Sequence, residues 1–197
     1  MKLRLTISIP NWLDRIFAWP VLFYRKRKFG HPYRKIRLTE GKFTLVDPQD
    51  FYWLNDFDWF AKRNRTSFYA ARFNNDLPEG PTIVSMHRQI MNFPKGLLVD
   101  HRNLDGLDNQ RSNLRIATYS ENNCNRPKRK NTSSRFVGVC FEKRCERWMA
   151  YIAMNRKRKH IGYFDSETDA AKAYDEAAKK YHGEFARLNF PEDAHKS

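Results

Sequence analysis

Phe136-Val137-Gly138-Val139-Cys140-Phe141, Arg147-Trp148-Met149-Ala150-Tyr151-Ile152-Ala153 and Lys159-His160-Ile161-Gly162-Tyr163-Phe164 decide the fold of the C-terminal part of this 197-residue chain. Each run is short, rich in β-branched and aromatic residues, and bounded by polar stretches near 142–146 and 154–158. They read as three strands joined by turns. The period then changes. Ala170, Tyr174, Ala177, Ala178 and Tyr181 fall on one face of a helix, at the spacing a buried helical stripe requires. Ser166 stands where an N-cap belongs, with Asp169 three residues on, and Gly183 suits the C-terminal stop. The alanines let such a helix lie close to a sheet. Residues 135–192 therefore read as a three-stranded antiparallel sheet packed on one helix, with 193–197 as a tail.

Upstream, residues 127–134 read as a basic linker. Arg126, Lys128, Arg129 and Lys130 alternate with Pro127, Asn131, Thr132, Ser133 and Ser134, with no apolar residue to bury. Such side chains either track phosphates or line a solvated tether.

Residues 35–126 read as one domain, β-rich over 35–95, giving an α+β chain overall. Glu40-Gly41 separates Lys35–Thr39 from Lys42–Val46, a hairpin signal. A short helix is expected within Asp47–Asp58, with Pro48 early and Trp53-Leu54 inward. Thr66–Phe73 and Thr82–Met91 read as further strands. Trp53, Trp59, Phe60, Tyr69 and Phe73 are expected in the core. Residues 1–34 form an apolar and basic extension broken by Pro10, Pro20, Gly30 and Pro32. It reads as a surface amphipathic helix, or as an arm or helix packing on the body or a nucleic acid.

Residues 96–126 carry the chemistry. Val99-Asp100-His101 is followed by Leu107-Asp108-Asn109, Asn113-Leu114-Arg115 and Glu121-Asn122-Asn123. Cleaving a phosphodiester needs an activated water, charge stabilisation on phosphate and help for the departing oxygen. A hard divalent ion held by oxygen ligands serves the last two, and a neutral imidazole serves the first. Asp100 offers a carboxylate oxygen, His101 an imidazole and Asn122 an amide oxygen. Asn103, Asp105, Asp108 and Asn109 read mainly as turn formers. Leu114–Thr118 reads as a strand, with a helix starting at Ser120 as cap. Adjacent strand residues face opposite sides, so Asp100 and His101 share a site only where the strand ends or bulges.

These residues, with Met86-His87-Arg88, resemble the HNH endonuclease family in its phage and intron homing branch. The resemblance covers roughly 80–126. It implies a β-β-α-metal finger in which Asp100 and Asn122 hold one Mg²⁺ or Mn²⁺. His101 is then the general base, and Asn113 braces the loop and orients it. His87 matches an upstream histidine beside the motif, either site-adjacent or structural. The last position of the motif is asparagine here rather than histidine. The implied setting is the nucleoid of a bacterial or phage-infected cell, in the cytoplasm.

The unit from Ser134 to Pro191 resembles the APETALA2-type DNA-binding domain of plant ethylene-response factors and mobile endonucleases. Gly138-Val139, Trp148, Ala150, Ile152, Ile161–Phe164, Ala170–Ala178, His182-Gly183-Glu184 and Ala186–Pro191 carry the likeness. It implies a sheet that enters the major groove of double-stranded DNA, backed by the helix. Basic candidates for contact are Lys143, Arg144, Arg147, Arg156, Lys157, Arg158 and Lys159, together with the linker's Arg126, Lys128, Arg129 and Lys130. Plant members place arginines on the first strand where this chain has Val137, Cys140 and Glu142, so their target sequence does not carry over. Trp148 either stacks near sugars or packs in the core.

Composition agrees with a polyanion binder. Thirty-seven Lys and Arg against 22 Asp and Glu give a net charge of +15, and a field of that sign captures polyanions. Cys124, Cys140 and Cys145 form no disulfide framework and no zinc-finger pairing, and read as reduced thiols. Ile16–Tyr24 is too short to span a membrane and contains Pro20. The basic run Arg25–Lys28 follows it, the reverse of a signal peptide's order. No obligatory protein partner is evident. The sequence thus reads as a metal-dependent endonuclease of duplex DNA. The alternatives are an inactive, transcription-factor-like DNA binder and an RNA-binding protein.

Overall fold

A computed structural model describes residues 10–64, 67–74, 82–125, 128, 132–154 and 157–191. The chain clusters into two units. The first comprises 1–95 and 105–115, the second 96–104 and 116–197.

The first unit opens with helix α1 (Asn11–Phe29), which runs through Pro20. The expected break there does not occur. Proline removes one backbone donor but its fixed φ is helical, and tertiary contacts hold both ends of α1. Asp14 accepts from Arg34 Nη2 at 2.9 Å and from Tyr52 Oη at 3.0 Å, and Arg25 donates to the Tyr33 carbonyl at 2.6 Å. Gly30 ends the helix in the left-handed region, its N–H bonded to the Lys26 carbonyl.

Strands β1 (Arg34–Arg37) and β2 (Phe43–Val46) pair antiparallel, Arg34 opposite Val46. The hairpin turn takes positive φ at both Glu40 and Gly41, the twist-compatible arrangement for a two-residue loop. Helix α2 (Pro48–Asn55) follows, with Leu54 fully buried. Trp53, one residue earlier, is 36% exposed, and its Nε1 bonds Asp50. The expectation of an inward Trp53 is corrected: neighbours on a helix lie 100° apart, and Leu54 holds the inner position.

Strands β3 (Phe60–Arg63), β4 (Phe68–Asn74) and β5 (Thr82–Ser85) form an antiparallel sheet in that order. Phe73 stacks on Phe60 at 5.0 Å but is exposed, so it is not a core residue; Trp59 is. The strand expected across Thr82–Met91 ends at Ser85 and gives way to helix α3 (Met86–Ile90). Met86 and Ile90, four apart, are both buried, and a spacing of four puts two residues on one face in a helix and in a strand alike, so the apolar pattern does not separate them.

The second unit begins with β6 (Leu98–His101). Strand β7 (Leu114–Ala117) carries the chain across the boundary between the units, and α4 (Tyr119–Cys124) follows. Strands β8 (Val139–Glu142), β9 (Arg147–Met154) and β10 (Lys157–Phe164) form the expected three-stranded antiparallel sheet with β9 central. Helix α5 (Glu167–His182) packs on it. Ser166 caps α5 by accepting from Thr168 N and Asp169 N. Ala170, Ala171 and Ala178 are fully buried against Val139, Ala150 and Ile152. A short 3₁₀ turn, Gly183–Phe185, closes the helix.

β8 begins at Val139 rather than Phe136 because Gly138 takes φ +71 and Val137 bonds elsewhere. Asn189 accepts from Val137 N at 2.8 Å and donates to its carbonyl at 3.1 Å. The same Asn189 and Phe190 donate backbone N–H to Asp175 on α5. One buried acid thus ties the helix, the entry to the sheet and the C-terminal segment together.

Gly138→Ala tests this packing. A Cβ there meets the Tyr174 ring and comes within 2.8 Å of the Tyr151 carbonyl, at a left-handed φ. We expect a loss of about 3 kcal/mol, seen as a lowered thermal unfolding midpoint of the full chain. An unchanged midpoint would contradict the packing described.

Candidate nucleic-acid interface and metal site

β6 ends at His101, and the backbone turns at once, with Leu104 N bonded to the His101 carbonyl at 3.0 Å and Leu104 at φ +65. The strand thus ends at His101, the condition that alternation sets for a shared site. Asp100 and His101 are both buried, at 6% and 5% exposure.

Helix α4 packs on β6. Its N-cap is Thr118, two residues before the expected Ser120. Thr118 Oγ1 accepts from Glu121 N at 3.2 Å and Glu121 Oε2 accepts from Thr118 N at 2.7 Å. Glu121 lies three residues after Thr118, and only that spacing completes a capping box. Asn125 closes the helix and is 5% exposed. Its Nδ2 donates to Asp100 Oδ2 at 3.0 Å and to the His101 carbonyl at 2.9 Å. Asn122 lies on the same short helix, three residues before Asn125. These bonds join the Asp100 carboxylate and the His101 backbone to the C-terminal end of α4. The Asn123 Oδ1 atom is buried with no hydrogen-bond partner among the described residues.

Among the described residues no group of three or more His, Cys, Asp and Glu side chains assembles to hold a metal. The donor set on β6 and α4 is of another kind, one carboxylate and one amide oxygen. Both are hard oxygen donors, which fit Mg²⁺ or Mn²⁺ with water and phosphate completing the shell.

Asn113 and His87 belong to the first unit. Asn113 Nδ2 donates to the Asp108 carbonyl at 2.8 Å, which braces the loop. Asp105 accepts from Leu107 N, and Asp108 from Gln110 N, as turn formers do. Asn109 does more than turn. It is fully buried, donates to Thr44 Oγ1 at 2.7 Å, and its N–H bonds the Leu45 carbonyl. Residues 107–109 are thereby docked along β2. Arg111 adds a two-pronged bond to the buried Asp50, at 2.7 and 2.8 Å, which raises the pKa of its guanidinium. Gly106 is needed because a Cβ would approach the Phe68 carbonyl to 2.5 Å. His87 lies on α3 with its ring 5.7 Å from that of Tyr69.

The strand register sorts the basic candidates of the sheet. Ala150 and Ile152 of β9 are buried against α5, so Met149, Tyr151 and Ala153 face away from it. Arg158 lies opposite Ala153 and His160 opposite Tyr151, on that outer face. Arg158 stacks over the Tyr151 ring at 4.7 Å, and the His160 and Tyr163 rings are 4.7 Å apart. Lys157 and Lys159 pair with Met154 and Ile152, on the helix side. Lys159 Nζ bonds Tyr181 Oη at 2.7 Å, and this bond lowers the pKa of the tyrosine. Arg147 is exposed and bonds Asp165, while Lys143 and Arg144 are exposed in the turn before β9. Lys128 donates to the Phe136 carbonyl at 2.5 Å, and desolvation lowers its pKa. Arg126, Arg129, Lys130 and Arg156 lie outside the described residues. Trp148 packs on the core beside Phe164 and sits edge-on to Phe141.

Residues 134–184 match the family model of the AP2 domain. Protein 3.8 of Escherichia phage T7 is 30% identical over 96 residues, which are 49% of this chain and 78% of that protein. The chain belongs to the protein 3.8 family. Similar over a shorter span are APETALA2-like protein 2 of Oryza sativa subsp. japonica, 43% identical over 60 residues, and dehydration-responsive element-binding protein 2C of Arabidopsis thaliana, 42% identical over 67. These matches cover 29% and 30% of this chain but only 14% and 20% of the plant proteins. In this member of the protein 3.8 family, residues 134–184 are an AP2 DNA-binding domain. No helix among the described residues is long and apolar enough to cross a membrane.

Asn125 was signalled only by its spacing of three from Asn122, and Asp175–Asn189 by nothing local, since the partners are 14 residues apart.

The register gives a sharp contrast. Arg158→Ala is expected to weaken binding to a preferred duplex, recovered by random-sequence selection, by about 1–3 kcal/mol. Lys159→Ala should cost less than about 1 kcal/mol. Equal losses in a mobility-shift titration would overturn the assignment of faces.

Proposed function

We propose that this protein is a metal-dependent endonuclease of double-stranded DNA whose AP2 domain selects the site. One observation carries the cleavage reading. Asp100 and His101 are buried together at a strand end, and Asn125 fastens them to the turn that bears Asn122.

Asp100 and Asn122 would hold one Mg²⁺ or Mn²⁺, which when bound stabilises charge on the phosphate and on the departing oxygen. The His101 imidazole takes the proton from the attacking water, since a neutral imidazole has its ordinary pKa near working pH. Burial at the end of β6 keeps that ring from wandering among rotamers. Asn113 fixes the loop after His101 through the Asp108 carbonyl. The outer face of the β8–β10 sheet, with Arg158, His160, Tyr151 and Tyr163, reads base edges and phosphates in the major groove.

A second reading is a sequence-specific DNA binder without cleavage. It is supported by the AP2 match and by an Arabidopsis relative named as an AP2-like ethylene-responsive transcription factor, 43% identical over 58 residues.

Incubation of supercoiled plasmid with the full chain separates them. Nicked or linear DNA is expected with Mg²⁺ or Mn²⁺ and not with EDTA. His101→Ala should lower the rate about 10²–10⁴-fold with DNA affinity retained. A wild type that binds but never nicks would establish the second reading.

A further inference from the structure

The strongest unassigned group is the side-chain amide of Asn125. It is nearly inaccessible and sits at the C-terminal end of α4, against β6. Four acceptors surround its Nδ2: Asp100 Oδ2 at 3.0 Å, the His101 carbonyl at 2.9 Å, Asp100 Oδ1 at 3.3 Å and the Arg102 carbonyl at 3.4 Å. An amide nitrogen has two protons. The two short contacts are the ones those protons satisfy, and they go to one carboxylate oxygen and to the backbone of the next residue.

We propose that Asn125 is a positioning residue that presets Asp100 for a divalent cation, a role that rests on the metal-finger reading above. With Oδ2 held by the shorter bond, the orientation of the carboxylate is fixed. The second proton, on the His101 carbonyl, fixes the backbone from which the imidazole projects. Because Asn125 ends the same short helix that carries Asn122, the amide also sets the separation between the two ligand-bearing elements. A donor that orients a ligand without touching the metal typically governs tenfold to a hundredfold of metal affinity. Asn125 is neutral, so it orients the carboxylate without competing with the cation as an arginine or lysine would.

The test is Mn²⁺ binding to the full-length protein, followed by electron paramagnetic resonance of free Mn²⁺, for wild type, Asp100→Ala and Asn125→Ala. Folding is checked by circular dichroism and DNA affinity is measured in EDTA. Wild type is expected to bind one ion that Asp100→Ala abolishes. Asn125→Ala should raise the half-saturating Mn²⁺ concentration at least tenfold, leave DNA affinity unchanged, and regain plasmid nicking as Mn²⁺ is raised. A general structural defect would not be repaired by metal. If Asn125→Ala does not fold, Asn125→Ser, whose hydroxyl solvates the neighbouring acceptors but is too short to hold both, serves for the same comparison. Binding as tight as wild type in the folded variant overturns the positioning role while leaving the metal site standing. Loss of binding that no Mn²⁺ concentration restores also overturns it. A wild type that binds no Mn²⁺ overturns the metal reading and Asn125's role together.

Discussion

The close approach of helix α5 to the β8–β10 sheet is the constraint on which the C-terminal structure depends. Three fully buried alanines and the absence of a Cβ at Gly138 create the space, and the Tyr174 ring fills it. Desolvation there pushes the tyrosine pKa up to about 12, so the phenol stays neutral in the folded protein at any physiological pH. Once that face of the sheet is committed to the helix, the pleat dictates what the other face presents. Arg158, His160, Tyr151 and Tyr163 are displayed because Ala150 and Ile152 are hidden.

Much of this was legible in the chain. Three strands, the capped helix and the Glu40-Gly41 hairpin follow from period, turn chemistry and capping, all of which act over a few residues. The failures share a cause. Pro20 marks a break on local grounds, but Asp14 and Arg25 hold α1 by bonds to residues farther along the chain. The short run Met86–Ile90 has apolar residues that fit either period, so its pattern does not separate helix from strand. Trp53 and Phe73 were placed inside on hydrophobicity alone, and a chain with this many aromatic rings has room for only some of them in its core.

The candidate site shows the same division. Asp100, His101, Asn113 and Asn122 stand out by type and spacing. Their supports do not. Asn109 looked like a turn residue and proves to be a buried peg that locks the loop along β2. Ser120 and Thr118 both offer a capping hydroxyl, and Glu121 three residues after Thr118 selects the latter. Residues that touch chemistry are restricted in kind, whereas residues that hold them need only a donor or an acceptor in the right place, and many types supply one.

The passage of the chain between its two units bears on inheritance. It leaves the first unit at 96, returns at 105 and leaves again after 115. No single recombination point can deliver either unit whole. Asp100 and its anchor Asn125 sit on opposite sides of that returning segment, as do Arg102 and its ion-pair partner Glu184. A gene fragment from residue 116 onward would carry the sheet and α5 but leave Asn125 without its acceptor. Residues 96–115 must therefore travel with both neighbours, so that a shuffled descendant keeps the Asp100–Asn125 bond intact or loses it altogether.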